Sequence, residues 1–154
     1  MTKVLTPVDL AEIHRTLALF AHVFDNGDVD GLDLVFTEDV VVEIGLGPKR
    51  AFHGIAEFAE YTRSKSAATP DHHTVNTTVE VDEHGQVQTR SRYIGINPAG
   101  RITGGEFLDI LRKTPAGWRI AYRLSLPRAP REAGAGVTRV AFPLAVRLAE
   151  VVAP

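Results

Sequence analysis

The chain contains no cysteine, which excludes disulfides, thiolate-bound zinc and a cysteine nucleophile together. It lacks long apolar runs as well. No stretch reaches the roughly 20 residues a spanning helix needs, and the opening Met1-Thr2-Lys3-Val4-Leu5-Thr6-Pro7 carries no cleavage pattern. A soluble, cytoplasmic chain with no membrane partner is expected. Excess charge of either sign is also missing: the net charge of −2 gives no footprint for phosphate backbones, so nucleic acid is not an expected partner. There is no Gly-rich phosphate loop, nucleophile elbow, HExxH pattern or internal repeat. The six histidines are scattered apart from His72-His73, which on a strand point to opposite faces. No metal and no cofactor is therefore expected.

What is present is an ordinary globular composition, 44% hydrophobic and 23% charged over 154 residues, enough for one hydrophobic core. Pro7-Val8-Asp9 opens a helix to about Asp25, with Leu10, Ile13, Leu17, Phe20 and Phe24 as its apolar stripe. Asn26-Gly27-Asp28 ends it. A second stripe, His14, Ala18, Ala21 and Asp25, puts two small residues between two ionisable ones and leaves an open groove beside the core face. Asp25 meets the negative end of the helix dipole, a placement that suits a general acid or base. Asp28 to Phe36 reads as a second short helix, Val40 to Ile44 as a strand, and Ile55 to about Ser64 as a third helix with Ile55, Phe58, Ala59 and Thr62 on one face.

From His72 onward, three turn signals divide the chain into strands at about His72–Asp82, Gln86–Ile96, Arg101–Lys113 and Trp118–Leu126. They are Asp82-Glu83-His84-Gly85, Asn97-Pro98-Ala99-Gly100 and Thr114-Pro115-Ala116-Gly117. Gly104-Gly105 predicts a bulge or sharp bend that curls the sheet. The fold class is α+β: a cone-shaped α+β barrel, three N-terminal helices packed on a curved, mainly antiparallel sheet. Residues 1–126 form this domain. Residues 127–154 read as a linker (Pro127 to Gly136) and a C-terminal apolar helix from Pro143 to about Val152, serving as a lid or dimer element, so a homodimer or higher homo-oligomer is expected.

Element order and short motifs together resemble the SnoaL-like branch of the nuclear transport factor 2-like superfamily. That superfamily includes ketosteroid isomerase, scytalone dehydratase and polyketide cyclases. The pieces carrying the likeness, over about residues 8 to 126, are Phe20…Asp25-Asn26-Gly27-Asp28…Phe36-Thr37-Glu38-Asp39, Gly54-Ile55…Phe58, His72…Asn76…Val79-Glu80-Val81-Asp82, Gly104-Gly105 and Gly117-Trp118-Arg119-Ile120…Arg123. In dehydratase relatives the resemblance implies an aspartate closing the first helix and a histidine on the strand after the third, here Asp25 and His72. Phe20 stands where relatives often carry a tyrosine, and Gly95 where some carry an acid.

Period-two reading and resemblance disagree on the histidine. Alternation puts His73 in phase with Val75, Val79 and Val81, whereas the family correspondence selects His72; a bulge near Asn76 would reconcile them. Asp25 and His72 are the candidate catalytic pair. His14, Phe20, Asn76, Tyr93 and Arg123 are the candidate substrate-binding residues, with Asn76 a possible donor to developing oxyanion charge. These features point to a cofactor-independent acid–base enzyme of dehydratase, isomerase or cyclase type on an apolar polyketide- or steroid-like small molecule. The rival is a non-catalytic ligand-binding or assembly module of the same fold.

Overall fold

In the computed structural model, residues 4–45, 50–65 and 69–130 are described. The first helix, α1 (Pro7–Phe24), starts at a reciprocal cap. The Thr6 hydroxyl accepts the Asp9 N–H (3.1 Å), and the Asp9 carboxylate accepts the Thr6 N–H (3.0 Å), with Pro7 in the first turn where it loses no helical bond. Asp9 also accepts from Lys113 Nζ (2.7 Å) and Trp118 Nε1 (2.9 Å), tying the helix start to the far hairpin. Its buried face is Asp9, Ile13, Thr16, Leu17, Phe20, Val23 and Phe24. Leu10, expected in that stripe, is 38% exposed; the cap turns Asp9 inward and the face rotates with it.

The expected second helix is instead a single 3-10 segment, Asp30–Leu34. It is too short to hold an α-helical register. Strand β1 (Phe36–Ile44) follows, then β2 (Arg50–His53), which pairs antiparallel with β1 and was not anticipated. The helix α2 (Ile55–Arg63) buries Phe58, Ala59 and Thr62, while Ile55 is half-buried. The four long strands lie close to their expected bounds: β3 (Asp71–Val81), β4 (Val87–Ile96), β5 (Ile102–Thr114) and β6 (Gly117–Ala129). β6 runs through Pro127 to Ala129, so the first three residues of the expected linker are strand. The rest of that linker and the expected C-terminal helix lie outside the described residues.

Strand order is β2-β1-β6-β5-β4-β3, antiparallel except for the parallel β1–β6 pair. Among the described residues the sheet is open, and two α-helices and a 3-10 turn pack on it rather than inside a closed barrel. One face meets the helices through a core rich in aromatic rings, including Phe20, Phe24, Phe36, Phe58, Tyr93 and Phe107. Each such ring, fully buried, stabilises the fold by about 1.5–3 kcal/mol. The alternate positions of β5 and β6 supply a second cluster, including Leu108, Ile110, Tyr122 and Leu124. Among the described residues no helix is long and apolar enough to cross a membrane.

Two irregularities shape the sheet. The β5–β6 register shifts between Gly104 and Gly105, as the glycine pair predicts. A Cβ on Gly105 would collide with the Tyr93 ring across the ladder, so glycine there makes room for that ring. In β3, Val75 pairs with Arg92 but Thr78 pairs with Arg90, leaving Asn76 and Thr77 opposite Ser91. Asn76 takes the left-handed conformation (φ 51°), and Thr77 hydrogen-bonds Ser91 through the hydroxyls (2.8 Å). Before this bulge His72 and Thr74 are the sheltered positions; after it they are Thr77, Val79 and Val81. The extra residue reverses the phase, which puts His72 on the core side and His73 outside.

Asn76→Gly should leave stability unchanged or raise it, whereas Asn76→Val, β-branched at positive φ, should cost about 1–2 kcal/mol in urea denaturation. Asp9 gives a pH signature. Lys113 first, then Thr6 and Trp118, hold its carboxyl well below the usual carboxylate range. A lowered folded-state value contributes stability that is present above the unfolded value, about 4, and is lost as pH falls below it. Asp9→Asn should therefore flatten the acid limb of a Tm-against-pH curve below about pH 4.

Candidate active site

Asp25 is the C-cap of α1, its own N–H bonded to Ala21 O (3.0 Å), and His72 is the second residue of β3. The bulge points the imidazole at the helix end. Asp25 Oδ1 lies 2.7 Å from His72 Nδ1, and Asp25 Oδ2 accepts the backbone N–H of His72 at 2.5 Å. Both carboxylate oxygens are thus engaged by one residue. The side chains are 6% and 14% exposed. A carboxylate on Nδ1 fixes the tautomer with the proton there, which leaves Nε2 as the ring's acceptor.

Rings surround the imidazole. The centroid of Tyr93 is 5.4 Å away and edge-on, Phe20 6.1 Å, Phe24 and Phe107 each 6.2 Å. Tyr93 stacks on Phe107 (4.5 Å), and burial pushes its hydroxyl above the usual phenol range, with a hydrogen bond to Ser125 acting the other way. Phe20, in the position where relatives often carry a phenol, stacks on Phe24 (4.9 Å) and meets Phe107 edge-on (5.4 Å). Gly95 lies directly across the ladder from His72. A Cβ there would sit 2.7 Å from Thr103 Oγ1 and 3.1 Å from Pro70 Cβ, so this chain has no room for an acid at that place.

Arg123 is 1% exposed, with Nε and one terminal nitrogen donating to Asp109 at 2.7 and 2.8 Å. The two residues are cross-strand partners. The guanidinium carbon lies 4.2 Å from the Phe20 centroid and 4.1 Å from that of Phe107, between rings that also border His72. Its Nη1 is buried without a partner, an unmet donor within the ring cluster.

Of the expected site residues, Asp25, His72, Phe20, Tyr93 and Arg123 come together. Two do not. His14 is exposed on the outer side of α1, and Asn76 is exposed at the bulge, so neither reaches the pair. The groove expected beside α1 is present, about 540 Å³, but His22 rather than His14 lines it with Ala18, Ala21, Asp25, His72 and His73. His22 and Asp109 were missed; the spacing of three from His22 to Asp25 could have revealed the first. Among the described residues no three His, Asp or Glu side chains are grouped as metal ligands would be.

Two helices on an open mixed sheet, with an aspartate–histidine pair at the helix end, define an α+β domain of the cystatin-like, nuclear transport factor 2-like kind. The model of the SnoaL-like domain matches residues 8–124, and the chain belongs to that family. Among solved structures it is similar to the D26N form of Rv3472 from Mycobacterium tuberculosis, a protein of unknown function. That match has 26% identity, TM-score 0.69, and covers 97% of this chain and 90% of that one. It is also similar to a protein of Novosphingobium aromaticivorans provisionally named an aromatic ring hydroxylase (25% identity, TM-score 0.67, 82% and 94% covered). A third, from Novosphingobium aromaticivorans DSM 12444, is provisionally named scytalone dehydratase (19% identity, TM-score 0.64, 84% and 96% covered) and shares the fold. Comparison with curated proteins finds no match.

Removing one member of the buried Asp109–Arg123 pair strands the other's charge. Asp109→Leu alone should cost about 3–5 kcal/mol, while Asp109→Leu with Arg123→Met should recover most of that loss in chemical denaturation.

Proposed function

We propose that this chain is a cofactor-independent acid–base enzyme of dehydratase, isomerase or cyclase type. Its substrate is an apolar, polyketide- or steroid-like small molecule. The observation that carries the reading is the Asp25–His72 contact, 2.7 Å between Oδ1 and Nδ1, with Oδ2 on the backbone N–H of the same histidine. Because both oxygens are taken up, Asp25 orients and His72 moves the proton. Nε2 takes a proton beside a carbonyl or from a hydroxyl, and the imidazolium so formed is stabilised by Asp25 and returns the proton to oxygen or carbon. Orientation contributes because a proton transfer needs its donor and acceptor within about 3 Å.

The groove that His72 lines with Ala18, Ala21 and Val75 gives such a molecule a place beside the imidazole. Membership of the SnoaL-like family and the likeness to a protein provisionally named scytalone dehydratase agree with this chemistry. The alternative, a non-catalytic ligand-binding or assembly module of the same fold, is favoured by one observation. Phe20, Phe24, Phe107 and Tyr93 pack tightly around His72.

Incorporation of deuterium from solvent beside the carbonyl of a panel of cyclic ketones, followed by NMR, separates the two. The wild-type chain should catalyse exchange. His72→Ala should lose about 10²-fold or more. Asp25→Asn should lose a similar amount, since an amide donating to Nδ1 fixes the other tautomer. Exchange by the wild type that survives both substitutions would remove the pair from the mechanism, and binding without exchange would favour the module.

A further inference from the structure

Asp25 stands between two grooves. The first holds His72. The second, about 430 Å³, lies on the α2 side, with Phe24 and Asp25 in its wall and two cationic side chains, Arg63 and Lys65. Lys65 is held in place: its Nζ lies 3.6 Å from the Phe24 ring centroid and 5.5 Å from that of Tyr61. Phe24 stacks in turn on Phe20 and on Phe58, so the ammonium sits on the edge of the same ring cluster that seats His72.

Among the described residues, the wall of this groove holds two cations and one carboxylate. Asp25 is the carboxylate in its wall, and both Asp25 oxygens are committed to His72. Lys65 is half-buried, and burial pushes its ammonium down to about 8, with the Asp25 charge acting in the opposite direction. Burial wins over attraction. A desolvated cation above an aromatic face, with an arginine beside it, has unused capacity for an anion carried on an apolar body.

We propose that the second groove seats the carboxylate of a small organic acid, with Lys65 as the buried contact and Arg63 at the rim. That this ligand is the substrate rests on the acid–base reading above, because Asp25 is shared by both grooves; the anion seat itself does not. Among the described residues, the groups facing Lys65 are Phe24 and Asp25 from the end of α1 and Tyr61 and Arg63 from α2. An anion bound to Lys65 raises its value, so affinity is full below about 8 and falls as pH rises through it.

Calorimetry on the full chain with 2-naphthoate, 2-naphthamide and inorganic phosphate tests this. At about pH 7 the acid should bind about tenfold or more tighter than the amide, and at about pH 9 that preference should shrink. Lys65→Met should abolish the preference at either pH. Lys65→Arg, which stays charged, should retain it at both. Equal binding of acid and amide, a preference untouched in Lys65→Met, or phosphate binding as tightly as naphthoate would each overturn the assignment. So would a preference lost in His72→Ala but kept in Lys65→Met, because the acid would then sit at the histidine. A wild-type chain that shows the preference yet exchanges no deuterium would remove the proposed reaction and leave the seat standing.

Discussion

The carboxylate of Asp25 holds the ring and the backbone of a single residue, and that double grip joins the end of α1 to the start of β3. Forty-seven residues separate the two partners, so the contact closes a long loop and exists only when helix and sheet are docked. An acid at a helix C-terminus opposes the helix dipole. Here the unfavourable placement is offset by two donors, which together hold the imidazole in one orientation.

Everything that positions His72 serves that contact. The bulge at Asn76 sets the phase of β3. Gly105 admits the Tyr93 ring, which meets the imidazole edge-on and stacks on Phe107. Arg123 lies between Phe20 and Phe107 with its charge met by Asp109. The pair is therefore seated among rigid rings on regular elements rather than on mobile loops, the arrangement that precise proton transfer requires.

Much of this frame is legible in the chain because its signals are local. Turn residues announce the four long strands, and the double glycine announces its own register shift. At β3 local alternation alone selects His73; the family correspondence selects His72, and the bulge at Asn76 reconciles the two. Other features depend on partners distant in sequence. Leu10 reads as core, yet Asp9 is drawn inward by Lys113 and Trp118, more than a hundred residues away. His14 shares the spacing of the groove stripe and misses it. The aspect of α1 that faces the groove is decided by β3, which docks beside Ala18, Ala21 and His22.

The sequence by itself determined the fold class, the order and approximate bounds of the main elements, and the residue types of the candidate pair, since periodicity and turn chemistry act over a few residues. Only the tertiary structure decided that the sheet stays open, that Arg123 is a buried cation clasped across a hairpin, and that both oxygens of Asp25 are spent on His72. Those facts depend on which surfaces meet when a helix packs on a twisted sheet, and no local pattern encodes the distance between two side chains brought together from opposite ends of a long loop.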